Sequence, residues 1–159
     1  MLSNVGQDIL TVEDQMAALD QLEEIVKSCY KNQGSDFKQL VSKTAKYSIS
    51  EAIFSRLSGE SDRGIQVGVV EKLKLEIKKL RTIKVTLAIN PTMEMIKNIS
   101  QWVKVNLGQD VILEIKVDNR IIAGIVIAFE GKYGSFTAKE KIDAYWEDNR
   151  SEISGRLGL

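Results

Sequence analysis

Apolar residues in the first third of the chain recur in steps of three and four. Val12, Met16, Leu19, Leu22, Val26 and Tyr30 form one such series, the spacing that gathers side chains on one face of an α-helix. Thr11 followed by Asp14 has the form of a capping box, with Asp in place of the usual Glu or Gln, and marks the start of that helix. After Gln33-Gly34-Ser35-Asp36 a second stretch places Phe37, Leu40, Val41 and Ala45 on one side. Ser50 is expected to cap a short third piece carrying Ile53, Phe54 and Leu57. Residues 58–64 include two glycines and almost nothing apolar, and read as a linker. Beyond them, Val70, Leu73, Ile77 and Leu80 are spaced 3-4-3, while Lys72, Lys74, Lys78, Lys79 and Arg81 cover most of the remaining positions. This predicts an amphipathic helix that packs into a core. Two heptads are too few to define a coiled coil.

At residue 83 the period drops to two. Val85, Leu87 and Ile89 alternate with Lys84, Thr86 and Ala88, which predicts a strand. Asn90-Pro91 then reads as an N-cap with proline at the first helical position. Met95, Ile96, Ile99, Trp102, Val103 and Leu107 are expected to form the inner face of that helix, which Gly108 ends. Val111, Leu113, Ile115 and Val117 alternate with Ile112, Glu114 and Lys116, the pattern of a half-exposed strand. Asp118-Asn119-Arg120 turns into Ile121–Phe129, an almost unbroken apolar run that predicts a central strand buried on both faces. Gly131 and Gly134 bracket a reversal, with room for a short extra strand near Tyr133–Phe136. Thr137 and Glu140 form a capping box for a last helix, whose Ile142, Tyr145 and Trp146 point one way. Residues 150–159 are expected to fray or to dock only on a partner. The fold class is α+β: an N-terminal α-helical domain (1–60), a linker and amphipathic helix (61–83), and a small β-α-β-β-α domain (84–159).

Composition removes most of the chemistry. The chain of 159 residues has no histidine, so His triads, His general bases and His metal sites are excluded. Cys29, the single cysteine, supplies neither an internal disulfide nor a Cys-rich zinc site, and its place on an apolar helix face predicts a buried thiol. Lys plus Arg equals Asp plus Glu at 22 each, which argues against a globally basic nucleic-acid binder. The N-terminus lacks the basic and apolar regions of a secretion signal, and no stretch is long and apolar enough to span a bilayer; the chain is expected to be soluble and intracellular. Charge is nevertheless uneven. Residues 1–30 hold six acids and one base, a balance of −5, and residues 71–84 hold six bases and two acids, a balance of +4. Solvated helix faces and partner surfaces of opposite sign both account for this.

Phosphate-binding, dinucleotide-binding and nucleophile-elbow patterns are absent. Gly131-Lys132-Tyr133-Gly134 matches the Gly-x-x-Gly loop of KH-type RNA-binding modules, but that loop joins two helices and this one follows a strand. Glu147-Asp148 reads as a solvated helix end, and Trp102 and Trp146 as anchors between helix and sheet. No catalytic, cofactor-binding or metal-ligating residues are expected.

One stretch resembles a known family. Val117-Asp118-Asn119-Arg120-Ile121-Ile122-Ala123-Gly124-Ile125-Val126-Ile127, followed by Gly131-Lys132-Tyr133-Gly134-Ser135, resembles the C-terminal signature of the delta subunit of F-type ATP synthases, called the oligomycin-sensitivity-conferring protein in mitochondria. The order of elements agrees over residues 84–159. Asp118, Ile121, Ile122, Gly124, Gly131 and Ser135 fall on the signature, and Ala123 stands where the family has the first of two paired glycines. The arginine and leucine residues usual in the final helix are replaced, the family's opening Tyr-Ala-x-Ala-Leu motif is not visible, and the helical half is shorter than its six-helix bundle.

The resemblance implies a non-catalytic stator subunit without cofactors, present in one copy in a hetero-oligomer. It would join the alpha subunits of the catalytic head to the membrane-rooted b subunits, touch the membrane only indirectly, and bind no nucleic acid. The implied location is the cytoplasmic side of a bacterial cell membrane. Met16, Leu19, Glu23, Lys72 and Lys79, on the acidic first helix and the basic helix at 70–84, are the candidate partner-facing residues. An unrelated protein- or RNA-binding β-α-β-β-α module with a helical extension is the alternative. A small enzyme working with carboxylates, Lys or Tyr is a third class, for which the sequence offers no constellation.

Overall fold

A computed structural model describes residues 8–31 and 36–148; for Glu140, Tyr145 and Trp146 it describes the backbone alone. The Gln33-Gly34-Ser35 loop, the side-chain half of the Thr137–Glu140 box, the orientation of Tyr145 and Trp146, and residues 150–159 therefore lie outside it. The helices are α1 (Val12–Lys31), α2 (Phe37–Thr44), α3 (Tyr47–Leu57), α4 (Arg63–Lys78), α5 (Met93–Asn106) and α6 (Ala138–Asp148). The strands are β1 (Arg81–Leu87), β2 (Val111–Val117), β3 (Gly124–Phe129) and β4 (Lys132–Thr137). The fold is α+β, helices first and then a mixed β-α-β-β sheet to which the short extra strand β4 is added. Strand order is β2-β1-β3-β4. The chain forms two compact units, residues 1–82 with 96–113 and residues 83–95 with 114–159.

Local chemistry sets the helix ends. At α1 the Thr11 hydroxyl accepts from the Asp14 amide, and Asp14 accepts back from the Thr11 amide, each at 3.2 Å. Asp36 caps α2 by accepting from Lys38 N, and Asp62 caps α4 by accepting from Ile65 N. Each such cap satisfies an amide that the helix itself leaves open. Two starts differ from the sequence pattern. Helix α3 begins at Tyr47, so Ser50 lies inside its first turn and donates to the Lys46 carbonyl instead of capping. Helix α5 begins at Met93, because the Thr92 hydroxyl accepts from Met95 N; Asn90-Pro91 lies just outside.

The first unit has a continuous core. Leu22, Ile25 and Cys29 of α1 pack with Phe37, Val41, Ile49, Ile53, Val70, Leu73 and Ile77. Val70, Leu73 and Ile77 of the predicted 3-4-3 series are thus buried on α4, which ends at Lys78, so that Leu80, expected on the same helix, is buried between it and β1. Residues 9–11 lie along β2: Leu113 N donates to the Leu10 carbonyl at 2.9 Å, and Thr11 pairs with Leu113 in parallel sense.

In the second unit Ile83, Val85 and Leu87 are buried, and β1 pairs antiparallel with β3, and β3 with β4. The apolar run at 121–129 corrects the expectation of a strand buried on both faces. The strand starts only at Gly124, and Ile125 to Phe129 are half-buried. The turn after it is a two-residue hairpin, with Glu130 at φ +47° and Gly131 at φ +77°. Two successive positive φ values match the twist of the flanking strands. Strand β2 is also more buried than alternation implies: Val111, Ile112 and Leu113 are all covered, and exposure rises toward Val117.

Candidate interaction surfaces

Helices α1 and α4 pack against each other and run antiparallel, with Gln15 Nε2 donating to the Ile77 carbonyl at 2.8 Å. Their opposite charges meet inside the unit. Glu23 pairs with Lys27 at 2.9 Å and reaches Lys74 at 3.8 Å. The Lys27 bond, and then the charges of Lys27 and Lys74, hold the Glu23 carboxyl below its usual range. Part of the charge asymmetry therefore matches within the chain.

Of the five candidate partner-facing residues, Met16 is 60% exposed and Glu23, Lys72 and Lys79 are exposed as well, Glu23 in the pairs just described, while Leu19 packs partly against the core. Further along, Arg56 of α3 pairs with Glu76 of α4 at 2.8 Å. Cys29 is buried, and burial pushes its thiol up.

The signature residues build one compact turn. Asp118 N donates to the Leu87 carbonyl, and the Asp118 carboxylate accepts from the Arg120 amide and guanidinium at 2.8–3.3 Å. The Arg120 side-chain bond, followed by its amide, brings the Asp118 pKa down to about 2. Ile121 N closes the turn onto the Asp118 carbonyl, while Ile122 is exposed. Ala123 then adopts φ +57° and Gly124 φ +122°. A Cβ at Gly124 would lie 2.3 Å from the Phe136 carbonyl oxygen and 2.7 Å from Thr137 Cα. The glycine is there because β4 runs against its α-carbon. Gly131 forms the hairpin, and Ser135 lies half-buried opposite Val126.

Register sorts the sheet into two faces, since paired residues share a face. One carries Leu87, Ile125 and Phe136 in a row, with Val85, Ile127 and Gly134 beside it. Along this row burial falls from Leu87 in the core to Phe136 at 67% exposed, and the Phe136 ring leans toward Gly134. The other face carries Lys84, Ala128 and Tyr133, then Thr86, Val126 and Ser135.

Trp102 corrects its expected role as an anchor, being 55% exposed, and Ile142 is exposed as well. Glu147 and Asp148 are exposed, as a solvated helix end requires. Sequence reasoning missed two polar fixtures. Arg81 forks onto Asp110 at 2.7 and 3.0 Å and also donates to the Leu107 carbonyl. Lys104, only 8% exposed, donates to the Ile9 carbonyl at 3.3 Å; burial lowers its pKa, while Asp8 and Asp14 oppose that. Both were countable only as charges in the sequence, without a sign of their partners.

A capped helical bundle followed by a small sheet, offering exposed apolar rows, is the build of a subunit that works by binding others. The chain matches the ATP synthase delta (OSCP) subunit family over residues 2–147 and belongs to that family. It is thus a non-catalytic subunit of the peripheral stalk, the stator of F-type ATP synthase, and its partners are components of that complex. No curated protein matches the chain. Among the described residues no helix is long and apolar enough to cross a membrane, and the complex places the subunit at the membrane's periphery.

Proposed function

We propose that the two exposed surfaces divide the stator's work between them. The outer side of the α1–α4 pair, with Met16, Lys72 and Lys79, receives the alpha subunit of the catalytic head. Leu19 backs it from the core, and Glu23, exposed on the same helix pair, is held by Lys27 and Lys74. The apolar sheet face, with Ile125, Ile127 and Phe136, receives the b subunit. The chain acts as a single copy on the cytoplasmic side of a bacterial cell membrane, reaching the membrane only through the complex and binding no nucleic acid.

The observation that carries this reading is the row Leu87–Ile125–Phe136, which passes from buried core to open surface without polar interruption. An interface that resists torque draws its strength from apolar anchors, while charge sets register. The test is co-purification of the full chain with alpha and b subunits. Phe136→Asp is expected to lose b and keep alpha, and Met16→Glu to lose alpha and keep b. Retention of both partners by the Phe136 variant would overturn the assignment of the sheet face.

A further inference from the structure

A cavity of about 390 Å³ in the first unit opens beside α5, with Lys97, Ser100, Gln101, Lys104, Val105 and Gln109 in its wall. The wall is rich in donors. It carries two ammonium groups, two carboxamides and a hydroxyl, and no carboxylate lines it. Asp8 and Asp14 act on the Lys104 charge, but neither belongs to the wall. Gln109 is held by donating to the Lys104 carbonyl at 3.4 Å. Ser100 is 1% exposed, and its hydroxyl is sealed from bulk water without a hydrogen-bond partner. Buried polar groups are nearly always paired, so an orphan of this kind marks a place where a bond is made by something else. Val105 of the wall and Trp102, three residues before it on α5, are exposed apolar side chains.

We propose that this cavity is a docking site for a carboxylate side chain of a partner polypeptide whose neighbouring apolar residues rest on Val105 and Trp102. A carboxylate fits the wall better than a phosphate does. Phosphate recognition favours guanidinium forks and the open amides of helix N-termini, with lysine adding a point charge. This wall has no arginine, and its polar side chains all come from within or just after α5, while Leu10, ahead of α1, adds an apolar one. One ammonium, a hydroxyl and a carboxamide are enough to satisfy two carboxylate oxygens. The lining shares no residue with the signature turn or the sheet face, and its occupancy does not depend on the division of labour proposed above.

The test titrates the full chain with acetyl-Leu-Glu-Leu-amide and acetyl-Leu-Gln-Leu-amide, followed by amide shifts of Ser100, Gln101 and Gln109. The Glu peptide is expected to bind at least ten-fold more tightly, with the gap closing in Lys97→Gln and in Ser100→Ala. Both substitutions leave the apolar core intact, and unchanged shifts elsewhere confirm the fold. Equal or absent binding of the two peptides would overturn the proposal, as would tighter binding of inorganic phosphate to the same residues.

Discussion

Ala123 holds a backbone conformation that glycine adopts without cost. An L-residue at φ +57° pays roughly 1–2 kcal/mol in steric strain. The extra freedom glycine has in the unfolded chain offsets part of any gain from replacing it. Ala123→Gly is therefore expected to stabilise the chain by about 0.5–1 kcal/mol, read as a higher urea midpoint. Gly124→Ala acts in the opposite direction, because the new Cβ collides with backbone of β4 instead of a movable side chain. A loss of roughly 2–4 kcal/mol is expected in the same experiment. The neighbouring Asp118 gives a pH signature. Its folded pKa, about 2, is below the unfolded value, so its bonds to Arg120 contribute fully above about pH 4 and fade as pH falls toward 2. The pair lies at the surface, so its effect is screened. Carboxyl NMR should show Asp118 titrating near 2 and moving toward the ordinary carboxylate range in Arg120→Ala.

Elements show where sequence pattern is strong and where it weakens. The α1 box and the 3-4-3 series on α4 were legible because an apolar face and a paired cap are local properties. Helix α5 buries Val103 and half-buries Met95, Ile96 and Ile99 as expected, with Leu107 half-buried just past its end, and departs from the expected face at Trp102. Its buried line includes Ser100, Val103 and Lys104, and reading Ser and Lys as outward residues swings the face toward Trp102. The 121–129 run departs from its expected burial for a related reason: apolar composition does not reveal whether a neighbour covers the second face. The signature turn was legible as a motif, whereas the match between Glu23 and Lys74 was not, because it depends on which helices meet. Within α4, Gly68 lies mid-helix, and a Cβ there would meet nothing within 4 Å. Replacing it with alanine relieves backbone entropy at no steric cost, so Gly68→Ala is expected to add about 0.5–1 kcal/mol to stability in thermal or urea unfolding.

At the scale of the molecule, burial is unequal between the two units, and the inequality bears on function. The large core cluster belongs wholly to the first unit. In the second, Ile83, Val85 and Leu87 are buried, while no described side chain from residue 114 onward is. Strands β3 and β4 thus hold together by backbone pairing and half-covered apolar contacts, and such segments open at lower free energy than a packed core. A stator domain that gains its missing apolar cover from a partner will be loosest when alone and tightest in the complex. Native-state hydrogen exchange of the free chain is expected to show the α1, α3 and α4 amides protected to the level of global unfolding and the β3–β4 amides exchanging sooner. Adding the b subunit should slow Ile125, Ile127 and Phe136 selectively, and that slowing should vanish in Phe136→Asp. Equal protection across both units in the free chain would mean that the sheet is already as well stabilised as the bundle, leaving the partner no cover to supply.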